Sequence, residues 1–260
     1  MRDNFQRCLG YVLGSEGGFS NHADDAGGAT QHGVIQVVYD SFRRRKGLVQ
    51  RHVSLITMGE ITEIYRSMYW DKVDGDELPV GIDYVVFDAA VNSGPSRAIR
   101  WLQAGVNRCA GTARLKVDEN IGPATLDASD DYDFNALIDA MLDERLGFMK
   151  AARNTNTGKA LWPVFGAGWS NRVLGYLPKG AKVRNADGVD DISKMMVKSA
   201  VAHSQPLTPA KAAPGEKVPL VPALIPKKTV QQAAQPGSPL LVLAAAALAA
   251  ILYGASQWPF

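Results

Sequence analysis

The first helix is predicted from apolar positions that recur at intervals of three and four residues: Phe5, Cys8, Leu9, Val12 and Leu13. Asp3 precedes them as a candidate N-cap, with Gln6 three residues further on. We expect this helix to end near Gly17. Residues 17 to 33 contain five glycines among polar side chains, a composition typical of an extended loop or a small hairpin.

Further helical patterns follow along the chain. Thr57 and Glu60 have the spacing of a capping box, ahead of an apolar stripe formed by Ile61, Ile64, Tyr65 and Met68. The segment 82–91 is apolar nearly all round, which favours a helix buried through the centre of a domain, with a buried strand as the alternative. Other helices are predicted from Pro95 onwards and at roughly 133–152 and 163–177. The predicted fold is therefore mainly α.

The composition changes after Tyr176. Eight of the 14 prolines lie between positions 206 and 239, so we interpret residues 178–238 as a Pro/Ala/Lys-rich linker. Residues 240–253 are apolar and uncharged. A membrane-spanning helix needs about 20 apolar residues, but Trp258 extends the segment with an aromatic interface anchor. We predict a C-terminal transmembrane anchor at 239–260.

Composition and charge exclude several other classes of protein. The formal charge of +2 arises from 28 basic and 26 acidic side chains spread along the sequence, so no nucleic-acid partner is indicated. Cys8 and Cys109 form no C-x-x-C pair, and His22 and His32 form no zinc pattern, so we expect neither a metal nor another cofactor. The N-terminus has no pattern of a cleavable secretion signal.

Glu16 is the most informative acidic residue. It lies where the first helix ends, and the helix macrodipole there disfavours a negative side chain. Asp25 and Thr30 belong to a glycine-rich turn that can fold back toward this helix end. A protonated carboxyl beside a second polar group is the arrangement that cleaves glycosidic bonds. An ordinary exposed glutamate is the alternative interpretation.

Several short motifs resemble those of the glycoside hydrolase family 108 muramidases. The first is the run Glu16-Gly17-Gly18-Phe19, followed by Asp25, Gly27-Gly28-Ala29-Thr30 and Gly33-Val34. Two more, Tyr69-Trp70-Asp71 and the stretch from Phe87 to Pro95, follow in the same order as in the family. The stretch Val117 to Leu126 resembles a turn of peptidoglycan-binding modules, with Glu119 in place of the usual glycine; a purely structural turn is the alternative.

The resemblance covers roughly residues 4–177 and implies a lysozyme-like, mainly α fold. It implies a catalytic region at 1–92 and a helical, peptidoglycan-binding-like region at 93–177 packed on it. Glu16 would be the general acid that cleaves the β-1,4 bond between N-acetylmuramic acid and N-acetylglucosamine. Asp25 and Thr30 resemble its partners in phage lysozymes. Three further residues are candidates for a saccharide groove, although each could instead belong to the core: Tyr69, Trp70 and Asn92.

Two other functions stay open at this point. A lytic transglycosylase would use one glutamate on the same bond without adding water, and a non-catalytic peptidoglycan-binding membrane adaptor would keep the fold alone. We expect a monomer whose partners are glycan strands and, through the C-terminal segment, the inner membrane. Such a chain would act on periplasmic peptidoglycan as a phage endolysin or as a bacterial muramidase that opens the wall for secretion.

Overall fold

The computed structural model describes residues 4–16, 30–155, 157–175 and 187–204, and the structure below refers to these ranges. Helix α1 is Asn4–Glu16. Strands β1 (Thr30–Gln31) and β2 (Val34–Ile35) pair antiparallel, with Thr30 opposite Ile35. His32 and Gly33 form the turn between them, both with positive φ. This part of the segment 17–33 confirms the predicted hairpin.

The remaining helices of the described ranges follow the hairpin. They are α2 (Gln36–Arg45), α3 (Met58–Tyr65), α4 (Ile82–Ser93), α5 (Pro95–Ala110), α6 (Pro123–Asp130), α7 (Phe134–Ala151), α8 (Trp162–Leu174) and α9 (Val189–Ser204). Short helical turns occur at Val53–Leu55, Arg66–Trp70 and Asp71–Val73. The predicted mainly α class is confirmed.

Helix α4 is the centre of the fold. Every one of its residues except Val91 is buried, because α1, α5, α7 and α9 pack around it. This confirms the prediction of a buried helix rather than a strand for residues 82–91. Phe87 contacts Phe5 of α1 and Trp70 with ring centroids 5.9 and 5.3 Å away. The one ionised side chain in the middle of this helix is Asp88, whose exposed fraction is 0%.

The predicted capping box at the start of α3 is confirmed. Thr57 Oγ1 accepts a hydrogen bond from the Glu60 backbone amide at 3.3 Å, and the Thr57 amide donates to Glu60 Oε2 at 2.9 Å. The same carboxylate binds Tyr39, Arg43 and Arg51 at 2.5–3.0 Å. Partial burial raises the pKa of Glu60, but hydrogen bonds from Thr57, Tyr39 and Arg51 outweigh burial and lower that pKa to about 2.

Replacing Glu60 by Gln is expected to lower the free energy of unfolding by about 1–3 kcal/mol at neutral pH, because charge-assisted hydrogen bonds are lost. The pKa of Glu60 is lower in the folded state than its ordinary 4.5, so its charge stabilises the fold above pH 4.5. That stabilisation disappears as the pH falls toward about 2. Urea unfolding of the parent and of Glu60→Gln at several pH values measures the difference in their free energies of unfolding. This difference should narrow between pH 4.5 and about pH 2. A difference that stays constant over this interval would contradict the stabilising role of the Glu60 charge.

One part of the predicted linker is wrong. Residues 189–204, inside the predicted range 178–238, form helix α9, which packs against α4, α7 and α8. Its apolar residues recur at helical spacing, and three of them are buried: Val189, Met196 and Val197. Residues 189–204 form a packed helix because this apolar stripe can be buried against the core. The rest of the predicted linker lies outside the described residues.

Membrane crossing was predicted for residues 239–260, and this segment also lies outside the described residues. Among the helices of the described ranges, none combines the length and the apolar character needed to cross a membrane.

Candidate active site

Glu16 is the last residue of α1, and only 5% of it is exposed. Its carboxylate is held by a residue far away in the sequence: Arg172 of α8 donates from Nη1 to Glu16 Oε1 at 2.6 Å. Glu16 is therefore not the ordinary exposed glutamate of the alternative interpretation. A buried ion pair fixes the position of its side chain at the end of the helix.

Arg172 is held in turn by Asp88 of the central helix. The Arg172 guanidinium donates to Asp88 Oδ2 from Nε at 3.0 Å and from Nη2 at 2.8 Å. On the other oxygen, Arg145 Nη1 of α7 lies 2.7 Å from Asp88 Oδ1 as an ion pair, without hydrogen-bond geometry. Two carboxylates and two guanidinium groups thus form one chain of charges through the core, Glu16 to Arg172 to Asp88 to Arg145.

Burial and charge act in opposite directions on the members of this chain. Burial alone raises the pKa of Asp88, but Arg172 and Arg145 outweigh burial, so the pKa of Asp88 lies below its usual value. Burial likewise lowers the pKa of Arg172, but Asp88 and Glu16 outweigh burial and hold it well above its usual value. Arg172 therefore carries its positive charge next to Glu16 at any working pH.

The turn of the β1–β2 hairpin lies against the Glu16 side chain. Tyr65 Oη of α3 donates to the His32 carbonyl at 2.9 Å and holds the turn in place. A Cβ atom added at Gly33 would lie 2.6 Å from Tyr65 Oη and 3.0 Å from Glu16 Oε2. Gly33 also has φ of +76°, a conformation that side chains rarely adopt. The contact between hairpin and carboxylate thus depends on glycine at this position.

Replacing Gly33 by Ala is expected to displace either the Tyr65 hydroxyl or the Glu16 carboxylate. We expect a loss of about 1–3 kcal/mol in the free energy of unfolding. Gly14→Ala in α1 is the matched control, because a Cβ there meets no atom of the described residues within 4 Å. Thermal unfolding should separate the two variants; a Gly33→Ala protein as stable as Gly14→Ala would contradict the proposed contact.

Two tyrosines complete the described surroundings of Glu16. The rings of Tyr65 and Tyr69 lie 5.6 Å apart between centroids. Burial, and after it the negative charge of Glu16, raises the pKa of Tyr69 to about 12 and the pKa of Tyr65 well above its usual value. Both phenols are therefore neutral at working pH. They place a polar but uncharged wall beside the Glu16–Arg172 pair.

The structure locates only some of the partners predicted for Glu16. Thr30 is 2% exposed in β1, the strand that leads into the hairpin turn at Gly33. The hairpin that carries Thr30 therefore does contact Glu16. Asp25 lies outside the described residues, so its proximity to Glu16 stays a prediction.

The three predicted saccharide-groove residues have different environments. Trp70 is 1% exposed, packs on Phe5 and Phe87, and donates from Nε1 to Asp76 Oδ1 at 3.1 Å. Its burial supports the alternative that Trp70 belongs to the core, and its contact with a saccharide stays a prediction. Tyr69 is half-buried next to Tyr65.

Asn92, the third predicted residue, lies one helical turn after Asp88 and is 1% exposed. Its Oδ1 accepts from Ser93 Oγ at 3.0 Å, whereas its Nδ2 donor meets no hydrogen-bond partner within the part of the chain that the structure describes. Direct contact of Tyr69 or Asn92 with a saccharide stays a prediction.

The turn that resembles peptidoglycan-binding modules is held together from inside. Gln103 of α5 is 2% exposed; its Oε1 accepts from the amides of Asp118 and Glu119 at 3.0 Å each, and its Nε2 donates to Asp118 Oδ1 at 2.9 Å. Glu119 has φ of +67°, which explains why glycine is usual at this position. These contacts support the structural interpretation of the turn.

Comparison with known proteins supports the resemblance to this family. Residues 9–94 match the glycosyl hydrolase 108 family, which confirms the resemblance read from the motifs. Among solved structures, that of Brucella abortus SagA matches with 28% sequence identity and a TM-score of 0.53, over 80% of this chain and 99% of the SagA chain. A comparison with curated proteins gave no match.

Proposed function

We propose that this chain, a glycosyl hydrolase 108 protein through residues 9–94, hydrolyses the β-1,4 bond between N-acetylmuramic acid and N-acetylglucosamine in peptidoglycan. The observation that carries the proposal is the buried Glu16 carboxylate, fixed between the Arg172 guanidinium and the turn at Gly33. A general acid needs this kind of fixed position, because its proton must reach one particular oxygen of the substrate. The match to a glycosyl hydrolase family supports a glycosidic bond as the bond that is cleaved.

Glu16 would act as the acid. The protonated carboxyl gives its proton to the glycosidic oxygen while the bond between that oxygen and the anomeric carbon breaks. Water then bonds to the anomeric carbon and releases a proton to a base, a role we assign to Asp25 with help from Thr30. Whether the sugar keeps or inverts its configuration depends on the separation of the two carboxylates.

Arg172 would act on the same step through Glu16. As Glu16 loses its proton it becomes an anion, and the guanidinium 2.6 Å away stabilises that anion. We therefore regard Arg172 as a residue that positions Glu16, and Asp88 as the residue that positions Arg172.

The choice of bond can be tested by digesting purified peptidoglycan with the full chain and reducing the products with borohydride. New ends that become muramitol are expected, because the proposed cut leaves N-acetylmuramic acid at the reducing end. New glucosaminitol would show cleavage of the other glycosidic bond and overturn the bond assignment. Products with 1,6-anhydro ends would identify the lytic transglycosylase alternative, and tight binding without any products would identify the non-catalytic adaptor.

A further inference from the structure

An unusual surface lies on the side of α2 that faces solvent. Most of the exposed large aliphatic side chains of the described residues fall within one short stretch of sequence: Val37, Leu48, Val49, Leu55 and Met58. Val49 is 84% exposed and Leu55 61%. Three exposed cations lie among them: Arg44, Arg45 and Lys46. We call these eight residues the α2 surface.

The α2 surface includes part of the exposed face of the helix and the chain just after it. Val37 and Arg44 are seven residues apart and lie on this face together with Asp40 and Ser41. Leu48 and Val49 follow Gly47, whose φ is +67°, beyond the end of the helix. The opposite face of the helix is buried through Val38, Tyr39 and Phe42. The exposed surface of a soluble protein is ordinarily polar, whereas the chain at the C-terminal end of α2 places the exposed aliphatic side chains of Leu48 and Val49 next to exposed guanidinium groups.

The exposed aliphatic residues after α2 are held rigidly rather than carried on a loose loop. Arg43 Nε donates to the Val49 carbonyl at 2.5 Å. Further along, Gln36 Nε2 donates to the Arg51 carbonyl at 3.0 Å and Gln36 Oε1 accepts from the Val53 amide at 2.6 Å. These bonds hold the segment 49–53 alongside α2, so that Val49 is presented to solvent by a fixed backbone.

The charge of this surface is positive. Glu60 neutralises Arg43 and Arg51 beneath the surface, and Glu63 pairs with Lys46. Within the described ranges Arg44 and Arg45 form no ion pair; Arg45 Nη1 donates only to Ser41 Oγ, at 3.3 Å. Two guanidinium groups that form no ion pair in the described ranges therefore lie close in sequence to Leu48 and Val49.

We propose that the α2 surface docks on an anionic lipid bilayer. Aliphatic side chains flanked by Arg and Lys suit the boundary between headgroups and acyl chains, where the apolar groups leave water and the cations meet phosphate. A glycan would instead favour exposed aromatic rings, and the α2 surface has none. Because β2 leads directly into α2, docking would bring the hairpin that covers Glu16 close to the membrane.

The test uses the full chain with an environment-sensitive dye at position 49, introduced as Val49→Cys in a Cys109→Ser background. Burial raises the pKa of the Cys8 thiol and keeps it unreactive. The matched control carries the dye at Val164→Cys, because Val164 is 63% exposed in α8, away from the α2 surface. Vesicles contain either phosphatidylglycerol with phosphatidylethanolamine or phosphatidylcholine alone.

We expect the dye at position 49 to shift to shorter wavelength with anionic vesicles and not with neutral ones, while the dye at position 164 does not respond. Adding Arg44→Gln and Arg45→Gln should weaken the anionic vesicle titration by roughly tenfold or more. No response at position 49, equal responses at both positions, or a response to an acidic wall polymer but not to vesicles would overturn the proposal. Vesicle binding through residues 239–260 alone would leave position 49 silent, and wall cleavage does not enter the readout.

Discussion

Glu16→Gln is expected to reduce the rate of peptidoglycan cleavage by about 10²–10⁴-fold, because the amide has no proton to give to the leaving oxygen. The loss should appear in kcat, since Gln keeps the size of the side chain and its Oε1 can still accept from Arg172. Release of soluble muropeptides from purified peptidoglycan measures the rate. Thermal unfolding of the same protein checks that the fold is intact.

Glu63→Gln provides the matched control for this prediction. Glu63 forms an ion pair with Lys46 on the surface, and its side chain is 52% exposed. The same chemical change there is expected to leave the cleavage rate within about twofold and stability within about 0.5 kcal/mol. If Glu16→Gln retained activity within a few-fold of the parent while Glu63→Gln did the same, Glu16 would not be the acid.

Asp88→Asn is expected to have the largest effect on stability, about 3–5 kcal/mol, or about 10 °C in Tm. The substitution removes the charge that compensates two buried guanidinium groups, those of Arg145 and Arg172. Because the pKa of Asp88 is lower in the folded state than its ordinary 3.8, the difference from the parent should be largest above pH 3.8 and shrink as the pH falls below it.

Asp143→Asn is the appropriate comparison for Asp88→Asn, because Asp143 forms an ion pair with Arg108 in which both side chains are more than half exposed. That variant should unfold within about 0.5 kcal/mol of the parent. Chemical unfolding at pH 7 measures the free energy of unfolding of both variants. Equal stability of the two variants would mean that the buried chain of charges contributes nothing to the fold.

Local sequence patterns predicted much of the fold. The capping box of Thr57 and Glu60, the buried helix at 82–91 and the position of Glu16 at the end of α1 each depend on residues close together in the chain. Helix periodicity and capping act over a few residues, so a sequence shows them directly. The apolar stripe of helix α9 is also visible in the sequence. The proline-rich composition further along the chain nevertheless led us to assign this segment to a linker.

The partners of Glu16 could not be predicted in the same way. Arg172 is 156 positions away and meets Glu16 only because α8 packs beside the end of α1. Asp88 offered a signal, since a carboxylate inside an otherwise apolar helix needs a buried partner. No pattern of neighbouring residues in the sequence identifies Arg145 and Arg172 as the partners of Asp88. For Trp70 the sequence left two alternatives open, because an aromatic residue in a family motif can serve either the core or a groove.

The chain of charges also changes how the predicted domains are understood. The sequence suggested a catalytic region at 1–92 and a separate binding-like region at 93–177. Arg145 and Arg172 both come from the second region, and both reach toward the first through Asp88. We therefore expect that a fragment ending at residue 92 would lack the groups that position Glu16.

The most direct test of the central claim is a digest of purified peptidoglycan in H₂¹⁸O, with the parent chain and with Glu16→Gln, followed by mass spectrometry of the muropeptides. Hydrolysis by Glu16 predicts one ¹⁸O at each new N-acetylmuramic acid reducing end for the parent and almost no product for the variant. Products without ¹⁸O, or labelled products formed equally well by Glu16→Gln, would contradict it.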